Sequence, residues 1–120
     1  MKALVVFTES GWHPLHFLLK KGFRHCFVCV KADGFWVEIN LVKNIPIVTV
    51  QATSDFDMED FYRQEGYTVV STIQRPMRPS ALNLFYGTFM IANCVGLVKS
   101  ILGVESKSWT PYSLYKELNK

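Results

Sequence analysis

The sequence has no concentration of like charge. Over 120 residues, 13 Lys and Arg stand against 10 Asp and Glu, a net charge of +3. The longest basic run is Lys20-Lys21, with Arg24 nearby. Proteins that bind nucleic acid through phosphates concentrate such residues in a patch. Charge therefore gives no reason to expect a nucleic-acid partner. Long apolar runs are also missing. Phe89 to Val104 is the longest apolar tract, and it is broken by Asn93, Lys99 and Ser100. It falls short of the roughly 20 residues a bilayer requires, so no transmembrane segment is expected. At the N-terminus, Ala3 to Phe7 is too short an apolar stretch for a secretory signal. The expectation is a chain that is cytoplasmic at synthesis. Cysteines number three, at 26, 29 and 94. An odd count without a signal argues against a disulfide framework. Internal repeats and low-complexity stretches are absent.

What is present is a core. Hydrophobic residues make up 49% of the chain and charged residues 19%. That balance excludes wholesale disorder. The length fits one domain, residues 1–120.

The pattern along the chain is mixed. Residues 3–7 read as a short buried strand, broken at Ser10-Gly11. Leu15 to Lys21 suits a short helix behind Pro14, ending at Gly22. Residues 24–31 and 35–42 read as strands flanking Asp33-Gly34, a pair that tolerates positive φ and signals a hairpin. Asn44-Ile45-Pro46 reads as a turn and 47–51 as a further strand. Residues 54–63 suit a helix capped by Ser54 or Asp55 and stopped at Gly66. Tyr67 to Ile73 reads as a strand. Arg75-Pro76-Met77-Arg78-Pro79 is a connector, because proline cannot donate to a ladder, and Ser80 to Tyr86 suits a short helix. Cys94, Leu97, Val98, Ile101 and Leu102 make one apolar helix face, between Asn93 as cap and Gly103 as stop. Thr110 and Pro111 open a last helix through Leu118. The sum is α+β: an antiparallel sheet packed against helices.

Cys94 is the leading candidate for chemistry. In the first turn of a helix, unpaired backbone N–H groups and the helix dipole stabilise a thiolate. Its other reading is a small core residue on the apolar face. A nucleophilic thiol needs a base, and the base needs an orienting partner. His25 opens a strand. A two-residue turn at Asp33-Gly34 puts His25, Phe27, Cys29 and Lys31 on one sheet face with Trp36, Glu38 and Asn40. Glu38 and Asn40 are therefore both candidate orienters.

Asn93-Cys94-Val95-Gly96-Leu97-Val98 resembles the Asp-Cys-Ser-Gly-Phe-Val nucleophile motif of NlpC-type papain-like cysteine hydrolases. Here the histidine precedes the cysteine. That order resembles the circularly permuted branch, which includes lecithin retinol acyltransferase-like proteins and bacterial and phage relatives. Phe17 to His25 is similar to that branch's helix-to-strand approach, Phe35-Trp36-Val37-Glu38 to its second strand, and Trp109 to Tyr115 to its Pro-containing segment. The chain departs from the motif at Val95 and Leu97.

The resemblance implies a circularly permuted papain-like fold. It also implies acyl transfer on a peptide, amide or ester by Cys94 as nucleophile and His25 as base, with Tyr86 as an oxyanion or substrate residue. Bacterial cell-wall peptides are the favoured substrates, no cofactor is implied, and a phage-encoded protein would act in the host cell or virion. For the third residue, the family's strand pattern points to Glu38, which is preferred. The simple hairpin register instead places Asn40 nearer His25, diagonally across the ladder.

Two further readings stand beside this one. Cys26-Phe27-Val28-Cys29 is a C-x-x-C match. With His13 and His16 it suggests a zinc site, but residues three apart on a strand point to opposite faces. Strand packing is therefore the preferred reading, and no metal is expected. The second is a non-catalytic assembly or binding module that keeps the papain-like fold.

Overall fold

A computed structural model describes residues 1–9, 20–42, 45–73, 93–103, 108 and 110–119. Five strands form one antiparallel sheet: β1 (Lys2–Thr8), β2 (His25–Ala32), β3 (Phe35–Val42), β4 (Ile45–Thr53) and β5 (Thr68–Ile73). Their order is β4-β3-β2-β1-β5. Three helices accompany them: α1 (Met58–Gln64), α2 (Asn93–Leu102) and α3 (Pro111–Leu118). The protein is a small α+β domain.

The sheet is covered on both sides, and the strand sequences show it. β1 lies between β2 and β5. Its Ala-Leu-Val-Val-Phe run does not alternate in polarity because neither face meets water. Ala3, Val5 and Phe7 pack with Cys26, Val28 and Val30 against Val95, Val98, Leu102 and Leu114 of α2 and α3. Leu4 and Val6 pack with Phe27, Cys29 and Trp36 against Met58 and Tyr62 of α1. Each Val, Leu, Phe or Met side chain among them contributes roughly 1.5–3 kcal/mol by leaving water.

The β2–β3 hairpin closes through Asp33 (φ 52°) and Gly34 (φ 83°). Both are left-handed, as a tight two-residue turn between right-twisted strands requires. The register follows: Ala32 pairs with Phe35, Lys31 with Trp36, Cys29 with Glu38 and Val28 with Ile39. Next to it, β4 begins at Ile45 rather than after Pro46, and Pro46 pairs with Leu41. The expected turn is thus one strand end. Proline is tolerated there because β4 is an edge strand and needs no donor on its outer side.

α1 starts later than the sequence suggests. Asp57, not Ser54 or Asp55, is its cap and accepts from the Asp60 N–H at 3.0 Å. The Trp36 indole N–H donates to the Phe56 carbonyl at 2.9 Å. This fixes the approach as a turn and leaves Asp57 to open the helix. α3 begins where the sequence places it. Thr110 Oγ1 accepts from the Ser113 N–H at 3.2 Å, and the Thr110 N–H donates to Ser113 Oγ at 3.2 Å. This reciprocal pair satisfies two of the orphan donors at the helix start. Phe7, Phe23 and Tyr115 then stack α3 onto the sheet, with ring centroids 4.9–5.6 Å apart.

Lys99 carries the charge that breaks the apolar tract, and it is fully buried in α2. Its ammonium donates to the Ser108 carbonyl at 2.6 Å, and the Ser108 hydroxyl donates to Glu117 of α3 at 2.7 Å. Burial lowers the Lys99 pKa, and the Glu117 charge opposes that shift. A buried charge persists only when it is paired in this way. Among the described residues, no helix is long and apolar enough to cross a membrane.

Candidate functional site

The site forms where the start of β2 meets the start of α2. Asn93 is the first residue of α2, so Cys94 lies in the first turn of a ten-residue helix. There the backbone N–H groups lack intrahelical partners and favour negative charge. Hydrophobic burial seats the helix: Val95, Val98, Ile101 and Leu102 enter the core, and Cys94 goes in with them at 5% exposure.

His25 is the first residue of β2. Its Nε2–H donates to Asn40 Oδ1 at 2.6 Å. The two-residue hairpin sets this pairing, because its register, which pairs Val28 with Ile39, brings the next residue of β3, Asn40, toward the start of β2. An amide oxygen can only accept, so Nε2 carries a proton and Nδ1 is the ring nitrogen left for sulfur. His25 and Cys94 are close enough that a positive charge on one and a negative charge on the other favour each other. The third member is Cys26, whose thiol donates to Cys94 Sγ at 3.6 Å.

Together these contacts separate the charges. Cys94 is held well below the ordinary thiol range. The hydrogen bond from Cys26 is the largest cause and, against burial, the neighbouring His25 adds to it. Burial works against the charged imidazole of His25. The hydrogen bond to Cys94, the Cys94 charge and the Asn40 acceptor outweigh it, and the His25 pKa is raised. Cys26 moves the other way: burial first, then its bond to Cys94 and the charge there, push its thiol well up. Cys26 is thus the donor of the pair and Cys94 the acceptor. Such an arrangement can attack an electrophilic carbon and return a proton to a leaving group.

Glu38, the preferred third residue, has a different partner. It lies one sheet position further along and accepts from the Tyr62 hydroxyl at 2.8 Å. It reaches His25 only through longer-range attraction, while Asn40 makes the hydrogen bond. The register decides between them: a two-residue turn brings Asn40 to His25, whereas a longer turn would shift the ladder toward Glu38. Tyr86 lies outside the described residues, as do His13 and His16. Cys26 and Cys29 occupy opposite faces of the sheet, one under α2 and α3, the other under α1. The C-x-x-C match therefore does not converge on one point. Among the described residues, no group of three or more His, Cys, Asp or Glu is placed to hold a metal.

Sequence reasoning missed the role of Cys26. Strand alternation puts it among core residues, and nothing in the sequence links it to a cysteine 68 positions away. Asn40 was legible as a candidate once the hairpin turn was taken at its shortest.

No protein-family model matches the chain, and no curated protein or solved structure is matched by it.

Proposed function

We propose that the chain is a cysteine hydrolase of the circularly permuted papain-like type, acting by acyl transfer on an amide or ester. One observation carries this reading: a cysteine in the first turn of a helix has its pKa lowered by Cys26 and, after it, by a histidine that is itself hydrogen-bonded to an amide oxygen. Cys-His-Asn is a known arrangement of nucleophile, base and orienter in thiol proteases.

The chemistry follows from the roles. The Cys94 sulfur attacks the carbonyl carbon, forming a C–S bond and an oxyanion. The Cys94 backbone N–H at the start of α2 is the donor for that oxyanion. His25 gives its proton to the leaving amine or alcohol as the carbon–leaving-group bond breaks. Water, deprotonated by His25, then hydrolyses the thioester. Asn40 holds the ring throughout. Peptide amides, including those of bacterial cell walls, are the substrate class the family resemblance favours. A bacterial or phage setting goes with that resemblance.

The test is the pH dependence of alkylation at each cysteine, read by mass spectrometry, for the native protein and His25→Ala. Cys94 should react fast below neutral pH and lose that advantage with His25. Peptide-amide or ester hydrolysis should vanish in Cys94→Ala. If Cys94 instead titrates like a free thiol regardless of His25, the binding-module reading replaces this one.

A further inference from the structure

Cys26 is not needed to attack a carbonyl, yet its sulfur touches the nucleophile. We propose that Cys26 is a resolving thiol: when a hydroperoxide oxidises Cys94, the two close into a reversible Cys26–Cys94 disulfide that silences the site without destroying it. This goes beyond the hydrolase reading and does not require that any substrate be turned over.

The geometry is already close to the product. The sulfurs are 3.6 Å apart, with the Cys26 S–H directed at Cys94 Sγ. A disulfide bond is about 2.05 Å long, so closure asks for a sulfur approach of about 1.5 Å. The two residues come from elements packed together in one core, β2 and α2. A thiol held in contact reacts as if at very high local concentration. It therefore outruns a second oxidant molecule, which would carry the sulfur on to the irreversible sulfinic acid.

The remaining cysteine cannot serve in its place. Cys29 is sealed on the opposite face of the sheet, with Phe27, Trp36, Met58 and Tyr62. Exposure also selects the oxidant. Cys94 is 5% exposed, which favours a small oxidant such as hydrogen peroxide.

The steps balance. The Cys94 thiolate attacks one peroxide oxygen; an S–O bond forms and the O–O bond breaks. The departing hydroxide takes the His25 proton and leaves as water. Cys26 sulfur then attacks the sulfenic sulfur; the S–S bond forms and the S–O bond breaks. The hydroxide released takes the Cys26 proton as a second water. Two thiols are oxidised, one peroxide is reduced, and an added dithiol reverses the change.

The experiment treats the full chain with hydrogen peroxide, blocks remaining thiols by alkylation, and maps the digest by mass spectrometry. A peptide pair linked through Cys26 and Cys94 is expected, with the intact chain lighter by two hydrogens. Dithiothreitol should restore Cys94 alkylation. Cys29→Ala should behave as the native protein does. In Cys26→Ala, Cys94 should gain two oxygens and stay blocked after dithiothreitol. Native Cys94 that gains oxygen without a cross-link, that links to Cys29, or that resists excess peroxide would overturn the proposal. The native cross-link decides the matter even if Cys26→Ala does not fold. All readouts are masses: a chain that cross-links but hydrolyses nothing loses only the hydrolase reading, and the converse loses only this one.

Discussion

The two faces of the sheet each bury a cysteine among polar partners, and the two cysteines are tuned in opposite directions. Under α2, Cys94 has His25 and a donated hydrogen bond from Cys26, and its pKa is held well below the ordinary value. Under α1, Cys29 sits opposite Glu38 on the ladder and beside Tyr62. Burial and the Glu38 charge push it up to about 11, although the Tyr62 hydrogen bond works the other way. Tyr62 is itself pushed far up by burial and by the negative groups around it. Burial alone raises a thiol pKa. What separates the two sites is the set of neighbours: a donated thiol hydrogen bond, a histidine and a helix start at Cys94, and burial with a carboxylate nearby at Cys29. A buried cysteine is therefore inert or reactive according to its partners, and the residue type says little.

The largest expected effect breaks or upholds this contrast directly. At neutral pH, Cys94 should be alkylated at least ~100-fold faster than Cys29, because thiolate fraction governs attack and only part of the gain is lost to lower intrinsic nucleophilicity. Equal rates, read by quantitative mass spectrometry in one digest, would erase the difference between the faces.

The next effect sharpens the assignment of the orienting residue. Asn40→Ala should slow Cys94 alkylation or hydrolysis by roughly tenfold to a hundredfold, the worth of a hydrogen bond to a charged group. Glu38→Gln should leave Cys94 nearly unchanged and instead lower the Cys29 pKa from about 11, measured by its alkylation profile. A stronger effect of Glu38→Gln than of Asn40→Ala on Cys94 would reverse the two roles.

The smallest effect is in stability. The Cys94 pKa is depressed in the folded protein, so its contribution is complete above the ordinary 9.0 and is lost as pH falls through the folded value. The His25 pKa is raised, so its contribution is complete below 6.5 and is lost as pH rises through the folded value. Above the folded His25 value the imidazole is neutral in both states, so only the Cys94 slope acts there. Acidification from 9.0 should therefore narrow the stability advantage of the native protein over Cys94→Ala. Urea denaturation at 9.0 and at successively lower pH measures it, and a constant difference between the two proteins would contradict the lowered Cys94 pKa.

Local chemistry made much of the fold legible. Asp33-Gly34 marked the hairpin because few pairs accept positive φ at both positions. Thr110-Pro111 and Gly103 marked helix ends, because capping and termination depend on a few adjacent residues. β1 was readable as buried from its unbroken apolar run. The misplaced boundaries share one cause, contacts from elsewhere in the chain. Trp36 fixes Phe56 and moves the start of α1, and edge position lets β4 include Pro46. Lys99 reads as a break in the apolar tract, yet its bond to Ser108 lets it be buried.

For the candidate site the division is similar. The sequence by itself determined the local setting of Cys94, because a helix start is a local property, and it determined which residues share a strand face, because alternation has a period of two. Only the tertiary structure decided that Asn40 rather than Glu38 bonds to His25, because that depends on ladder register. It alone brought Cys26 to Cys94 across 68 positions, because helix-on-sheet packing, with no local signature, sets which side chains meet.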